Sequence, residues 1–510
     1  MASNRITTDI AIIGSGPGGA TMAYALRNAG ARVLLLERGG FLPIEEENKS
    51  VRAVFKASRY KAKETWFDAR RRPFTPGNHY FVGGNTKVFG ACLARLREVD
   101  FEEYELEDGT SPGWPHGYDA LEPYYAEAER IYRVHGRPGD DFLEPARSSG
   151  YRFPPVPDDP EIAQLRRRLA KQGLRPFSLP MGIDAHPGGC CVLSRECDAF
   201  PCPLDAKSDA DISCVRPALE SDDVQLITSA YAKRLVTGPN GRVVTHLEAD
   251  IEGIHAEVHA HRFVVSCGAV NSAALFLRSA NSHHTNGLAN SSGLVGRNYM
   301  QHTNATLLAV DPRRTADITF QKTLGINDFY LRDPESDGRW PYPLGSAQLI
   351  GKVQGEMVQT QVPLLPRRVA DAIARRSVDW WLFTEDTPLA ENRVTLGPGG
   401  SIQVAWKPTN RGSQRRLIRA VTRMMRRAGY PLILTKRWGV ATNSHQSGTL
   451  RFGVDPARSV LDPVCKAHDL DNLYAIDGSF FPSVGGGPGG PTLTIAAQAL
   501  RVAAESPLVA

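Results

Sequence analysis

At 510 residues the chain exceeds one ordinary hydrophobic core, so at least two domains are expected. Hydrophobic residues at 42%, charged residues at 23% and a net charge of +5 describe a soluble globular protein and argue against a nucleic-acid surface. No run of about 18 apolar residues exists, so no membrane helix is expected, and with no charged-then-apolar leader at the start the expected location is cytoplasmic.

The first predicted elements are the most informative. In TDIAIIGSGPGGATMAYALRNAGARVLLLERGG, an apolar strand at Ile10–Ile13 runs into GSGPGG, a helical pattern covers Ala20–Asn28, and a second strand, Arg32–Leu36, ends on Glu37. This is a dinucleotide-binding fingerprint in its required context of strand, glycine turn, helix, strand and acid. Gly14 permits the tight turn, Gly16 lets backbone N–H groups approach a pyrophosphate, and Gly19 lets the helix pack on the strand. The helix N-terminus adds partial positive charge, and Glu37 is placed to accept from a ribose hydroxyl. No second unit of this kind follows, so one nucleotide is bound, a nicotinamide or a flavin.

Further along, FVGGNTKVFGACLARL at 81–96 is a second glycine-rich joint, and 101–200 reads as a loop-heavy insertion with short helices. The stretch 221–251 alternates apolar and polar residues around a PNG turn, as a β-meander does, and 262–280 reads as strand, glycine turn and helix. From 305 to about 437, alternating strands, prolines and two helices predict a separate sheet. One of these helices lies in RRLIRAVTRMMRR, with Leu417, Val421 and Met425 as its buried stripe. Near the end a strand finishes on Asp477, a long glycine loop follows, and a helix starts near Pro491. Cys190, Cys191, Cys197, Cys202 and Cys214 lack paired metal-ligand spacing, so buried thiols or a local disulfide are expected and no metal.

Three of these blocks (the fingerprint, the 81–96 joint and the closing strand, glycine loop and helix), together with NSHQSGTLRFG at 443–453, GLVGRNYMQH at 293–302 and PLAENRVTL at 388–396, resemble the glucose–methanol–choline (GMC) oxidoreductases in the family's order and over almost the whole length. The resemblance implies an α/β (α+β overall) architecture: a Rossmann-type FAD-binding domain (1–100, 205–304, 438–510) interleaved with a substrate domain on an antiparallel sheet (101–204, 305–437). It places Gly14, Gly16, Gly19 and Glu37 on the ADP portion of FAD, Gly83, Gly84 and Asn85 around the pyrophosphate and isoalloxazine, and Ala232 at the adenine. Asp477 and Gly478 fall near the ribityl chain, and Thr492 at the flavin pyrimidine edge. Relatives that bind FAD covalently carry a His in the VGG block; this chain has Val88 and Phe89 there, so non-covalent FAD is expected.

Alcohol oxidation by a flavin needs a base for the hydroxyl proton, a task that suits histidine. Of 13 histidines, His445 aligns with the family's catalytic one. Relatives place Asn or a second His just before the last block's proline, where this chain has Gly490. Three accounts stay open: Asn443 or Gln446 supplies the missing donor, His445 works alone, or redox chemistry is lost, as in a flavin-containing lyase. The glycine loop is expected to leave extra volume over the flavin. CDAFPCPLDAKSDAD resembles sugar-oxidising relatives, including pyranose-oxidase-like enzymes, and the flavin dehydrogenases of aminoglycoside biosynthesis that oxidise a 6′-hydroxymethyl group to the aldehyde. The expected substrate is therefore a polyol or aminosugar glycoside, with a sugar-ring oxidase as the alternative and O2 or another acceptor reoxidising the flavin. Trp381, Glu385 and Asp386 are the candidates for holding a cationic sugar.

Overall fold

The computed structural model describes residues 4–315, 318–442 and 445–508. The fingerprint forms β1 (Asn4–Ile13), α1 (Pro17–Leu26) and β2 (Val33–Leu36). Ile10–Ile13 and all of β2 are buried, which is why they read as unbroken apolar runs and not as alternating ones. Next in the sheet, β3 (Val224–Ile227) pairs in parallel with β2. Three antiparallel strands follow, β4 (Ala230–Thr237), β5 (Val244–Ile251) and β6 (Ile254–Val265), and β6 lies parallel to β1. The meander expected over 221–251 thus loses its first strand: β3 instead covers the free edge of β2, which would otherwise expose unpaired backbone groups. The helix α2 (Ala269–Arg278) follows β6, and the late strand Leu473–Ala475 pairs in parallel with β6. The C-terminal helix, Thr492–Glu505, packs on α1 and on the helix Tyr118–Ile131.

A second sheet is antiparallel throughout. Its strands are β7 (Ala305–Val310), β8 (Leu324–Ile326), β9 (Ser346–Leu349), β10 (Ser377–Phe383) and β11 (Leu432–Arg437), in the order β11-β7-β10-β9-β8, with Phe177–Ser178 paired on β8. Along β10 the period of two separates two jobs. Val378, Trp380 and Leu382 join a core with α3 (Arg411–Arg427), which buries Leu417, Val421 and Met425 as their spacing predicts. Trp381 and Phe383 point the other way, into a cavity. Two short helices, Gly355–Gln361 and Arg367–Ala374, add one helix to the two expected in this region.

All eight cysteines are free thiols, so the expected local disulfide does not form. Cys214 is buried as expected, whereas Cys190 is exposed and its Sγ donates to Asp184 at 3.2 Å. Among the described residues no three His, Cys, Asp or Glu side chains gather as a metal site, and no helix is long and apolar enough to cross a membrane.

Candidate active site

A cavity of about 730 Å³ runs from the fingerprint to the inner face of the second sheet. Its first half is built from glycines whose missing side chains are structural requirements. Gly14 sits at φ +103°, and a Cβ there would lie 2.3 Å from the Ser266 carbonyl oxygen. On Gly19 a Cβ would come within 1.9 Å of the Gly14 carbonyl oxygen, so helix and turn close directly on one another. Gly16 differs: nothing lies within 4 Å of its Cβ position, and its backbone opens into the cavity. The second glycine joint meets the first here. Gly83 (φ +94°) donates its N–H to Ser15 Oγ at 3.1 Å, and a Cβ on Gly84 would lie 3.2 Å from Gly16 Cα. Asn85 lines the wall, and its Oδ1 accepts from the His79 N–H at 2.9 Å.

Glu37 is buried at the end of β2. Its Oε2 accepts from the Ser15 N–H (3.1 Å) and hydroxyl (2.5 Å), and its Oε1 from the Gly39 N–H (2.9 Å). Burial pushes its pKa up, against the pull of these donors. Ala232 lines the cavity together with Ala230 and Tyr231. Asp477 accepts from the Gly268 N–H (2.9 Å), the Ser272 hydroxyl (2.5 Å) and the Ser479 N–H (2.7 Å), which ties the second crossing to the cavity. Gly478 has no room for a Cβ, which would lie 2.3 Å from the Gln446 carbonyl oxygen. Thr492, first in the C-terminal helix, brings that helix's unpaired N–H groups to the wall. Two abutting glycine turns, two helix N-termini and a buried acid fit a dinucleotide.

The second half of the cavity carries the chemistry. His445 stacks on Phe383 (centroids 5.9 Å apart, planes 8° apart), and its Nδ1 lies 3.1 Å from His302 Nδ1. His302 Nε2 lies 2.9 Å from the Gly485 carbonyl oxygen. The Gly485 contact favours one assignment of the protons. A carbonyl only accepts, so His302 Nε2 carries a hydrogen, and in the neutral ring its Nδ1 is an acceptor. His445 Nδ1 must then donate, which leaves the lone pair on His445 Nε2. Burial holds both rings neutral: His445 is pushed down to about 3, with His302 and Lys322 adding to the effect, and His302 to about 4. The two neutral rings form a hydrogen-bonded dyad on the cavity wall.

Gly490 is accounted for by the same ring. A Cβ on Gly490 would lie 2.6 Å from His445 Nε2, so the expected extra volume at this position is filled by the imidazole. Gln446, beside it, is buried and donates to Asn78 Oδ1 at 3.2 Å. Asn443 lies outside the described residues.

Of the substrate candidates, Trp381 lines the cavity and stacks on Trp438 (5.9 Å, 16°). Glu385 and Asp386 are not brought to it. Glu385 is buried, accepts from the Tyr104 and Ser111 hydroxyls, and faces a separate cavity of about 270 Å³. Asp386 accepts from Trp406 Nε1 (2.7 Å) and from Thr409. Desolvation explains the difference: it raises Glu385 to about 7 and Asp386 to about 6, and both are tied to structural donors. For Glu385 the sign of the pH effect follows. A raised pKa contributes stability fully present below the unfolded value near 4.3 and lost as pH rises through about 7. Glu385→Gln is therefore expected to gain on wild type by a few kcal/mol between about pH 4.5 and 8. Paired melting curves at these pH values check it; a constant difference would show that Glu385 does not titrate with folding.

Fold and site together define a flavin-type oxidoreductase. The family models described as GMC oxidoreductase match residues 18–304 and 388–499, and the chain belongs to this family of FAD-dependent enzymes acting on alcohol groups. It is 32% identical to the 6‴-hydroxyparomomycin C oxidase of Streptomyces lividus and 30% identical to the paromamine 6′-oxidase of Streptomyces fradiae, in each case over 97% of this chain and 90% of the relative. Among solved structures, pyridoxine 4-oxidase from Mesorbium loti superposes with a TM-score of 0.67 at 18% identity, over 98% of this chain and 99% of that one, which supports the fold.

Sequence reasoning missed His302, Lys322, Asp198 and Phe383. His302 ends the quoted GLVGRNYMQH block, and its role becomes visible only once the fold brings it against His445.

Glu37→Ala is expected to weaken FAD retention about 10- to 100-fold, the scale of hydrogen bonds to a buried charge. Flavin reduction in protein reconstituted with excess FAD should be unchanged, because Glu37 lies at the opposite end of the cavity from His445. Equilibrium dialysis measures the first effect and stopped-flow absorbance the second. An unaltered FAD dissociation constant would restrict Glu37 to holding Ser15.

Proposed function

We propose that this protein oxidises a primary hydroxyl, of the 6′-hydroxymethyl type, on an aminosugar glycoside to the aldehyde in aminoglycoside antibiotic biosynthesis, in the cytoplasm. The observation that carries the substrate class is the near-full-length similarity to two oxidases named for such compounds. The cavity supports it: Phe383, Trp381 and Trp438 offer flat apolar faces to a sugar, with polar groups of Gln348, Lys322 and Asp198 set among them.

FAD, held non-covalently by the residues of the cavity's first half, would accept hydride from the carbinol carbon. The protein's own part is to take the hydroxyl proton at His445 Nε2. His302 keeps the opposite nitrogen protonated, and the positive charge formed on His445 is shared along the hydrogen bond toward His302 and the Gly485 carbonyl.

The test is anaerobic bleaching of the visible flavin band by paromamine, neamine, glucose and glycerol. Paromamine is expected to bleach fastest, and acid denaturation should release intact FAD into the supernatant. Faster bleaching by plain sugars would replace this reading with a sugar-ring oxidase, and no bleaching by any alcohol would favour a non-redox use of FAD.

A further inference from the structure

We propose that the ammonium group of Lys322, oriented by Asp198, is the hydrogen-bond donor to the reacting hydroxyl oxygen that Gly490 cannot supply. Lys322 lies just before β8, and its Nζ donates to Asp198 Oδ2 at 2.7 Å. The pair lines the same cavity as His445 and Gly490 and is nearly enclosed, with side-chain exposures of 6% for Lys322 and 19% for Asp198. Asp198 is held in turn: the Gly351 N–H donates to Oδ2 at 3.1 Å, and a Cβ on Gly351 would lie 2.5 Å from Asp198 Cβ.

The ammonium sits directly on the second glycine joint. A Cβ on Gly90 would be 1.8 Å from Lys322 Nζ and 2.4 Å from Asp198 Oδ1, so Gly90 is the residue that admits the pair to the cavity. Cys92, two residues on in the same joint, meets the glycine loop that carries Gly490. A Cβ on Gly489 would be 3.0 Å from the Cys92 carbonyl oxygen, and the next residue, Gly490, abuts His445 Nε2. Lys322 is also among the groups that lower the His445 pKa, which places its charge within electrostatic reach of the ring.

The chemistry explains why a lysine belongs there. As His445 Nε2 removes the proton, negative charge grows on the substrate oxygen, and a positively charged donor held in a dry site stabilises it. One Nζ proton is used by Asp198, which leaves two for the substrate. Lys322 only donates hydrogen bonds: the proton goes to His445, the hydride to FAD, and no other bond changes. Asp198 is the positioning residue, and its carboxylate pairs with the lysine's ammonium in an enclosed place.

The experiment compares wild type, Lys322→Arg and the double variant Lys322→Met with Asp198→Asn, which leaves no buried charge unpaired. Anaerobic bleaching by paromamine is expected to slow about 10²-fold or more in the double variant, the usual cost of losing one oxyanion donor. FAD content should hold, and the arginine variant should recover part of the rate. An independent readout is calorimetric binding of paromamine and of its 6′-deoxy analogue to dithionite-reduced protein. The preference of wild type for the hydroxyl compound should disappear in the double variant. Bleaching at the wild-type rate, or equal weakening of both ligands, would overturn the role of Lys322. Should glucose bleach wild type and paromamine not, the aminosugar reading fails on its own, and glucose with 6-deoxyglucose then decides Lys322 in the same variants.

Discussion

Replacing His445 by alanine is expected to slow anaerobic flavin bleaching about 10²-fold or more while FAD content stays at the wild-type level. On the proposed mechanism the loss falls on the chemical step, because His445 Nε2 takes the hydroxyl proton. Its pH dependence adds a second check. Burial pushes His445 down to about 3, so the neutral, basic form is already fully populated at neutral pH. The wild-type bleaching rate should therefore stay level as pH falls from 7 to 5, where an exposed histidine would lose most of its basic form. Stopped-flow absorbance on FAD-loaded protein measures both. An alanine variant bleaching at the wild-type rate removes His445 from the mechanism, and a wild-type midpoint near 6.5 would mean that the ring is not desolvated.

How much of this was legible in the sequence depends on whether a feature is local. The fingerprint was legible because its pattern lies within one strand–turn–helix–strand unit: Gly14 is required by its own φ of +103°, Gly19 by its contact with the Gly14 carbonyl, and Gly16 by the space it leaves. The helix α3 was legible for the same reason, since Leu417, Val421 and Met425 repeat at helical spacing. The departure of β3 from the meander was not legible, because its partner β2 lies almost 190 residues away and the segment's own alternation suits either sheet edge. Glu385 and Asp386 follow a tryptophan pair and on that pattern stand as candidates for holding a cationic sugar. Period-two alternation along β10 predicts which tryptophan faces the cavity, but nothing local reveals that Tyr104, Ser111, Trp406 and Thr409 converge on the two carboxylates. His302 and His445, 143 positions apart, show the same limit: each block was visible, and their shared proton was not.

Gly490 allows the most demanding test, because restoring the residue that relatives carry is expected to damage this protein. In Gly490→Asn the new Cβ would fall 2.6 Å from His445 Nε2 and 3.0 Å from its Cε1, closer than packed atoms sit. The imidazole cannot simply step aside: Phe383 stacks on one of its faces, and Nδ1 is committed to His302. Relief of the overlap must shift the ring, lengthen the bond that sets its tautomer, or push out the glycine loop, which is held where the Gly489 N–H donates to Gln348 Oε1 at 2.9 Å. Overpacking of this kind costs about 1–3 kcal/mol, and a misplacement of about 1 Å at a reacting centre costs about 10²-fold in rate. Gly490→Asn is therefore expected to bleach about 10²-fold more slowly than wild type with FAD retained, and Gly490→Ala to fall between them, because it adds the Cβ without the amide. The order alanine then asparagine separates crowding from a lost backbone conformation, since Gly490 does not use a left-handed φ. An asparagine variant that bleaches as fast as wild type, or faster, would show that His445 yields the space freely and that the glycine reflects something other than the volume of the base.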